Sequence, residues 1–289
     1  MIKHLVISGG INAGIVFFGI LKHLLEESFF CMDDIETIYA TSVGTLTAVY
    51  FSLGYNLDDI ETFIIDRPWH HVFKFNFNTI IRAVQEGGFF TKSEFTQLIS
   101  PMLLGKDLEI DITLLEFYKV TKKDIHFFTT SYDTFELTDL SYKTHPDWKL
   151  IDAIYASSGL PIIFDRFEFD GQIFLDGGIL KNYPLNQCLQ DGHEPENILG
   201  VYKTKESNQV IGPSNYKLFD YILSFILKLL SFVKKTHHEK EELVLNQIPA
   251  LSETDPWKIM EAFESKEERV RLLSSGIESA KFFLANRKA

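Results

Sequence analysis

The chain has 289 residues, 45% hydrophobic and 24% charged, a balance that excludes a disordered chain, a collagen-like fibre and a coiled-coil rod. A formal net charge of −12 without a basic stripe argues against nucleic-acid binding, because phosphate contacts need clustered Lys and Arg. Cys31 and Cys188 are the only cysteines, which excludes a disulfide-rich scaffold and a cysteine-based zinc site. We see neither a signal peptide nor an apolar run of about 18 residues, so we expect an intracellular, cytoplasmic protein without a transmembrane helix.

The first part of the chain alternates short apolar runs with helical periodicity. His4–Ser8 is an apolar run that stops at two glycines, which predicts a buried strand. Apolar residues recur at helical spacing over Gly14–Glu27, Thr37–Ala40 is a second strand candidate, and Thr45–Leu53 follows as a helix. This strand–helix–strand–helix order predicts a parallel α/β sheet.

Three further signals place elements in the middle of the chain. Thr91 with Glu94 three residues later is a capping box, which predicts the start of a helix. Ile125–Ser131 is typical of a strand. Phe167–Phe169 and Ile173–Leu175 flank an Asp-Gly dipeptide, which predicts a hairpin with a type I′ turn.

The C-terminal part differs in composition. Residues 205–214 are the best linker candidate, which predicts a division into 1–204, an α/β domain, and 205–289, a helical extension packed on it. We expect helix from there to the end, interrupted at Pro249 and Pro256. Residues 215–235 carry one narrow polar stripe, which fits either a core helix or an interfacial helix that contacts a membrane peripherally or a partner.

The first segment that could carry chemistry is YATSVGTLTAVY, residues 39–50. Ser42 stands between a predicted strand and a predicted helix, with Gly44 two residues later, which is the layout of a G-x-S-x-G nucleophile elbow. Ala40 occupies the first glycine position and is still small. The alternative is that Ser42 is an ordinary helix N-cap.

The second segment is the loop that joins the first strand to the first helix. Its consecutive backbone N–H groups before a helix form an anion site, for either a nucleotide phosphate or a reaction oxyanion. The dinucleotide fingerprint fails because Ile11 stands two residues after Gly9, and no Gly-Lys-Ser/Thr of a P-loop is present. A plain strand–helix turn is the alternative.

The third segment, FLDGGILKNYPL, residues 174–185, holds a carboxylate on a tight turn. Asp176 follows a strand and precedes two glycines. An ordinary β-turn is the alternative, since Asp-Gly is a common turn dipeptide, with Asn182 and Pro184 as further turn residues.

In this order the three segments resemble the patatin-like phospholipase family, whose members carry a Gly-rich loop, a G-x-S-x-G serine and a later Asp-Gly-Gly/Ala. Residues 87–99 and 156–164 are also similar to family segments, so the resemblance covers about residues 4–200. It implies a three-layer α/β/α sandwich with a mainly parallel central sheet, here with a helical C-terminal segment.

The resemblance also implies a lipid acyl hydrolase, of phospholipase A or lysophospholipase type, that acts through a Ser-Asp dyad without a metal or other cofactor. Ser42 would be the nucleophile and Asp176 the base. Backbone N–H groups of the first loop would form the oxyanion hole, namely those of Gly9, Gly10 and Ile11. The elbow and turn glycines would be Gly44, Gly177 and Gly178. An α/β-hydrolase would instead need a histidine after the acid, but we interpret His193, His237 and His238 as surface residues.

Three departures from the family pattern keep a second hypothesis open. Ile11 replaces a glycine of the loop, Ala13 replaces a basic residue, and Ala40 replaces the first elbow glycine. A catalytically weak or inactive member that binds lipid or a protein partner is therefore the alternative. A nucleotide-binding α/β protein is a third and more distant hypothesis.

We expect any ester hydrolysis to be independent of calcium, because the sequence contains no EF-hand loop and no other visible ligand cluster. Turnover of a soluble ester should be unchanged by a chelator. Activity that is lost in the chelator and restored by calcium would contradict this expectation.

Overall fold

The computed structural model describes residues 1–74, 77–204, 246–251 and 261–287. Its first elements are strand β1, His4–Ile7, helix α1, Ala13–Glu26, strand β2, Thr37–Thr41, and helix α2, Val43–Ser52. These elements confirm the predicted strand–helix–strand–helix opening to within two residues at each boundary. The predicted linker 205–214, the segment 215–235, Pro256, His237 and His238 lie outside the described residues.

The middle of the chain contains six α-helices and four strands among the described residues. The helices are α3, Leu57–Asp66, α4, Phe77–Glu86, α5, Lys92–Thr96, α6, Ser100–Leu104, α7, Leu114–Thr121, and α8, Leu150–Ser158. The strands are β3, Gly88–Phe90, β4, Asp124–Ser131, β5, Leu137–Leu140, and β6, Ile162–Phe164.

The remaining described elements close the fold. They include strand β7, Phe167–Phe169, strand β8, Gln172–Asp176, a 3₁₀ turn, Gly177–Ile179, helix α9, Leu185–Gln190, strand β9, Ile198–Thr204, strand β10, Gln247–Leu251, and helix α10, Lys266–Arg287.

Two local signals in the sequence are confirmed. Thr91 caps α5 and forms the full capping box with Glu94, each side chain bonding to the backbone N–H of the other residue. β7 and β8 pair antiparallel around Asp170 and Gly171, whose φ angles of 50° and 75° are both positive, as a type I′ turn requires.

Among the described residues, the central sheet has eight strands in the order β10-β9-β1-β2-β4-β8-β7, with β5 paired to β4. The run from β10 to β4 is parallel, whereas β5, β7 and β8 are antiparallel to their neighbours. β3 and β6 form a separate two-stranded parallel sheet. The carboxyl ends of β1 and β2 therefore lie at the same edge of the sheet, and that edge carries the Gly-rich loop and Ser42.

The two faces of the sheet carry different side chains because direction alternates along a strand. Leu5, Ile7, Ile38 and Ala40 belong to the main core, which also includes residues of α1, α2, α8 and α10. A smaller cluster on the opposite face contains Val6, Tyr39 and Phe128 and is covered by the short helix α9 and its neighbours. Helices on both faces give the expected three-layer α/β/α arrangement, with one thick and one thin helical layer.

The C-terminal part corrects one expectation. Residues 247–251 form β10, which pairs parallel to β9 at the edge of the sheet, where the sequence predicts helix. Among the described strands, β10 has no second neighbour that would need the missing N–H of Pro249, so proline is tolerated there. Ile248 and Ala250 are fully buried and Pro249 is exposed, so the strand shows alternation, but over too few residues to be recognised. The expected C-terminal helix is present as α10.

Helix α10 packs closely against α1. A Cβ atom on Gly276 would lie 2.2 Å from the carbonyl oxygen of Val16, and one on Gly19 would lie 2.5 Å from that of Leu273. Both contacts are backbone atoms, so the neighbouring helix cannot yield by rotating a side chain. Glycine at these two positions allows the helix axes to come this close.

We predict that Gly276→Ala lowers the free energy of unfolding by about 1–3 kcal/mol through overpacking. This sign is informative, because alanine is favoured over glycine in a helix by about 1 kcal/mol. Denaturant unfolding measures the change. Ser274→Ala, at an exposed site on the same helix, is the matched control and should be neutral or slightly stabilising. A more stable Gly276→Ala variant would show that the two helices can separate at little cost.

Candidate active site

Ser42 forms a sharp turn between β2 and α2. Its backbone angles are φ 55° and ψ −130°, outside the regions that L-residues ordinarily occupy. Such a conformation costs roughly 1–3 kcal/mol and persists only where the surroundings determine it. The side chain of Ser42 makes no capping bond to α2, so the N-cap alternative does not describe its hydroxyl.

The two small residues that flank Ser42, Gly44 and Ala40, are small for different structural reasons. A Cβ on Gly44 would lie 2.6 Å from the carbonyl oxygen of Ser8 and 2.7 Å from that of Ile7. Position 44 therefore excludes any side chain, because α2 starts directly against the end of β1. Ala40 lies fully buried within β2, where an alanine is accommodated.

Asp176 ends β8 beside the elbow. β8 pairs antiparallel to β4 there, with Asp176 opposite Thr129, and the Asp176 N–H donates to the carbonyl oxygen of Gly159 at 3.0 Å. Its Oδ1 accepts the Gly178 N–H at 2.6 Å, and its Oδ2 accepts the Ser42 hydroxyl at 2.7 Å. The structure thus brings together the two side chains that the sequence singled out, 134 residues apart.

Both members of this pair are withdrawn from water, with 7% of Ser42 and 6% of Asp176 exposed. The glycines after Asp176 fit closely into the turn. A Cβ on Gly177 would lie 2.1 Å from the Phe128 carbonyl oxygen, and one on Gly178 would lie 2.8 Å from Asp176 Oδ1. The Asp-Gly-Gly sequence is therefore required by the approach of this turn to β4 and to its own carboxylate.

The Gly-rich loop corrects one predicted site residue. The N–H of Gly9 donates to the backbone carbonyl oxygen of Asn182 at 2.9 Å, so it is not available to an oxyanion. Asn182 also donates its side-chain Nδ2 to the Gly9 carbonyl oxygen at 3.1 Å. Within the described residues, the N–H groups of Gly10 and Ile11 have no hydrogen-bond partner. The candidate oxyanion donors are therefore Gly10 and Ile11.

Asn182 has a larger part in the site than the sequence indicates. The motif predicts only a turn residue there, yet Asn182 joins the segment after the Asp-Gly-Gly turn to the Gly-rich loop through two hydrogen bonds. The preceding carbonyl, that of Lys181, accepts the Thr41 hydroxyl at 3.1 Å. Residues 181–182 thus hold both the loop after β1 and the end of β2. This role of Asn182 follows from its position in the folded protein and not from any pattern in the sequence.

Ile11 has a positive φ of 55°. A β-branched residue is unfavourable in this region, because its Cβ substituents crowd the backbone. The departure from glycine at this position therefore affects the backbone of one of the two candidate donors. Ile11 is half-buried, so its side chain also contacts the protein.

The downstream histidine that the structure describes does not join the pair. Nε2 of His193 lies 3.0 Å from the Tyr39 hydroxyl, and its ring stacks on His4 near the amino ends of the strands. Burial lowers the pKa of His4 to about 4, assisted by the neighbouring His193. His193 is half-buried, and its cluster lies at the edge of the sheet opposite to Ser42.

The same cluster contains a charged histidine. Burial disfavours the imidazolium of His126, but hydrogen bonds to Asp124 and Asp139 outweigh it and raise the pKa to about 9. His126 Nδ1 lies 2.7 Å from Asp139 Oδ2, and Lys143 Nζ lies 2.6 Å from Asp124 Oδ2. These partners make the cluster an internal ionic network.

Metal and membrane signals can be assessed only for the described part of the chain. His70 and His71 are adjacent and exposed on a 3₁₀ turn, Trp69–His71. Across the described ranges, no group of three or more His, Cys, Asp or Glu side chains is arranged to hold a metal ion. In those same ranges no helix combines the length and apolarity needed to cross a bilayer.

A strained strand–helix turn at Ser42, an Asp-Gly-Gly turn and a Gly-rich loop at one edge of a mainly parallel sheet define an α/β protein of the patatin type. The family model for patatin-like phospholipase matches residues 5–189. The chain therefore belongs to the patatin-like phospholipase family.

Similar proteins occur in large viruses. The chain is 24% identical over 190 residues to "Probable lipid hydrolase 463L" of Invertebrate iridescent virus 6, covering 65% of this chain and 63% of that protein. It is 24% identical over 237 residues to "Uncharacterized protein R571" of Acanthamoeba polyphaga mimivirus, covering 79% and 76%. The chain thus spans less than two thirds of the length of the first of these relatives.

Among solved structures, VipD from Legionella pneumophila has a similar fold. The TM-score is 0.56 at 16% sequence identity, and the match covers 98% of this chain and 67% of VipD. At this identity the likeness concerns the fold alone. It confirms the predicted α/β sandwich.

We predict that Ile11→Gly raises kcat on a soluble ester about fivefold, which corresponds to about 1 kcal/mol. Glycine adopts the observed φ of 55° without steric cost, so the Ile11 N–H can take its best orientation. Ile11→Ala is the matched control, since it removes side-chain packing but keeps the Cβ atom, and it should give no gain. A fall in both kcat and Tm for Ile11→Gly would show that the isoleucine side chain supports the loop.

Proposed function

We propose that this protein is a lipid acyl hydrolase that cleaves acyl esters through a Ser42–Asp176 dyad and an acyl-enzyme. The observation that carries the proposal is the 2.7 Å hydrogen bond from Ser42 Oγ to Asp176 Oδ2, made by a serine with φ 55° at a strand–helix turn. A hydroxyl becomes a competent nucleophile when an adjacent base can accept its proton. In this pair the base is the carboxylate itself, without an intervening histidine.

In the first half of the reaction, Ser42 Oγ forms a bond to the carbonyl carbon of the ester. Its proton passes to Asp176 Oδ2, and the carbonyl π electrons move to the oxygen, which becomes an oxyanion. When the tetrahedral intermediate collapses, the ester C–O bond breaks, and the leaving alkoxide takes the proton from Asp176. The product of this half is an acyl ester of Ser42 and a free alcohol.

The second half repeats these steps with water. Asp176 accepts a proton from a water molecule as its oxygen bonds to the acyl carbon. Collapse of the second tetrahedral intermediate expels Ser42 Oγ, which regains the proton from Asp176. The fatty acid leaves, and both side chains return to their starting states.

The oxyanion in both halves would accept hydrogen bonds from the N–H groups of Gly10 and Ile11. One such donor typically contributes a factor of roughly 10²–10³ to the rate. The N-terminus of α2 lies next to Ser42 and adds the positive end of a helix dipole. Two backbone donors and a helix end support the negative charge without any metal ion.

The substrate class follows from the family and from one relative. The matched family is described as patatin-like phospholipase, and the iridescent virus relative is described as a probable lipid hydrolase. We therefore propose glycerophospholipids, lysophospholipids or related acyl esters as substrates. Peripheral membrane contact through residues 215–235 would bring the site to such substrates.

A second candidate function is lipid or partner binding with little or no turnover. Two observations favour it, namely the positive φ of Ile11 and the engagement of the Gly9 N–H by Asn182. A fluorophosphonate probe separates the candidates, because it reacts covalently only with an activated serine. Labelling that maps to Ser42 supports hydrolysis, whereas lipid binding without labelling supports the second candidate.

We predict that Ser42→Ala and Asp176→Asn each lower ester hydrolysis by about 10³-fold or more. The first removes the nucleophile and the second removes the base, and both keep nearly the original shape, so Tm should change by only a few degrees. Rates on a soluble ester and thermal unfolding curves measure the two effects. Asp170→Asn, at the exposed turn before β8, is the matched control and should retain wild-type turnover. If Asp176→Asn retains it as well, the base must be another residue.

A further inference from the structure

The backbone N–H of Ser42 has a partner from outside the three motifs. It donates to Oγ of Ser157 at 2.9 Å, and this bond is buried. The other backbone group of Ser42, its carbonyl, accepts the N–H of Thr45 at 2.9 Å inside the elbow itself. Ser157, 115 residues away in the chain, is therefore the hydrogen-bond partner that fixes the backbone N–H of Ser42.

The hydroxyl of Ser157 has a defined direction. It donates its only proton to the carbonyl oxygen of Phe128 at 2.6 Å, and Phe128 lies in β4. A hydroxyl has one O–H donor and two lone pairs, so this bond leaves a lone pair for the Ser42 N–H. Ser157 is fully buried, so no water competes for either bond. These two hydrogen bonds, which we call the relay, connect β4 to the turn at Ser42 through Ser157 in α8.

The same end of α8 also contacts the second member of the pair. Gly159 follows the last residue of α8, and its carbonyl oxygen accepts the Asp176 N–H at 3.0 Å. The carbonyl oxygen of Ala156 accepts a hydrogen bond from the Thr129 hydroxyl at 2.9 Å, which links this turn of the helix to β4. Ser157 in the last turn of α8 and Gly159 directly after it thus hold the backbones of Ser42 and Asp176, respectively.

We propose that Ser157 is the positioning residue of the nucleophile, fixing the backbone of Ser42 so that its Oγ points at Asp176 and at the acyl carbon. This inference rests on the proposed function. The described contacts of Ser157 Oγ are backbone groups of Ser42 and Phe128, so it acts through Ser42 and takes no proton in the reaction. Without its oxygen the Ser42 N–H is buried and unsatisfied, and the turn relaxes away from the reactive geometry.

The chain provides a matched control at the next position. Ser158 lies on the same turn of α8 and is also buried, at 5% exposure. Its Oγ has no hydrogen-bond partner within the described residues. Ser158→Ala removes the same atoms from the same helix end without touching the elbow. Helix propensity and volume change are therefore matched between Ser157→Ala and Ser158→Ala.

The test compares Ser157→Ala, Ser157→Cys and Ser158→Ala in the full chain. Three quantities are measured for each: kcat and KM on a soluble ester, the second-order rate of Ser42 labelling by a fluorophosphonate, and Tm. We expect Ser157→Ala to lower kcat by 10- to 100-fold with KM within twofold, since a displacement of about 1 Å costs about 10²-fold. The labelling rate should fall by the same factor, because it reports the orientation of Ser42 without deacylation.

Ser157→Cys keeps the side-chain shape, with a somewhat larger sulfur atom that is a weak donor and acceptor, so an intermediate loss of three- to tenfold is expected. It also carries the test if Ser157→Ala does not fold. Ser158→Ala should keep kcat and labelling within twofold of the wild type. A purely structural role would lower Tm but leave kcat per folded molecule unchanged.

Wild-type kcat and labelling in the Ser157 variants would overturn this inference alone, since the dyad would work without the relay. A wild-type protein that neither hydrolyses the ester nor labels at Ser42 would overturn the proposed function, and this inference with it. Equal losses in the Ser157→Ala and Ser158→Ala variants would also contradict it, because the relay passes through only one of these serines.

Discussion

The site depends on one constraint: the chain must turn from β2 into α2 at a single residue, Ser42. That turn forces Ser42 to φ 55°, and close packing makes the conformation hold. A Cβ on Gly44 would lie 2.6 Å from the Ser8 carbonyl oxygen, so only glycine allows α2 to start this close to the end of β1. The hydroxyl of Ser42 then points to Asp176. The strain is local, and the surrounding packing and hydrogen bonds offset it.

Hydrogen bonds to their backbone groups hold the segments of the site in place. Asn182 ties the Gly-rich loop to the segment after the Asp-Gly-Gly turn through Gly9. Ser157 ties the elbow to α8 and β4. Since the Gly9 N–H is used for this purpose, the candidate oxyanion donors are the N–H groups one and two residues further along the loop. The backbone of Ile11 then matters more than its side chain suggests.

The two ends of the sheet are used differently. The carboxyl ends of the parallel strands carry the strained turn and the candidate donors. The amino ends carry an ionic network around His126, which remains an imidazolium because its contacts with Asp124 and Asp139 outweigh its burial. Strands β1, β2 and β4 run through both, so the network anchors the strands whose far ends hold the site. At the amino ends His126 and Lys143 pair with carboxylates, whereas the Gly10 and Ile11 N–H groups at the other end have no partner within the described residues.

The sequence by itself determined the elements with strong local signals. Periodicity located β1, α1, β2 and α2, and turn chemistry located the β7–β8 hairpin, because these signals act over a few residues. The order of the motifs, through the family resemblance, singled out Ser42 and Asp176, and close approach of backbone and side-chain atoms accounts for the glycines beside them, Gly44, Gly177 and Gly178. The family resemblance, confirmed by the match over residues 5–189, supplied the sandwich fold.

Tertiary structure decided what depends on distant partners. Strand β10 forms because β9 offers an edge for pairing that accepts Pro249. The sequence of a five-residue segment does not by itself indicate that such an edge lies nearby. The Gly9 N–H is engaged because Asn182 lies beside it, 173 residues away in the chain. Ser157 resembles Ser158 in sequence, yet only Ser157 meets the elbow, because a helix presents adjacent residues in directions about 100° apart. Such roles depend on which surfaces the fold brings together, and a local pattern contains no information about that.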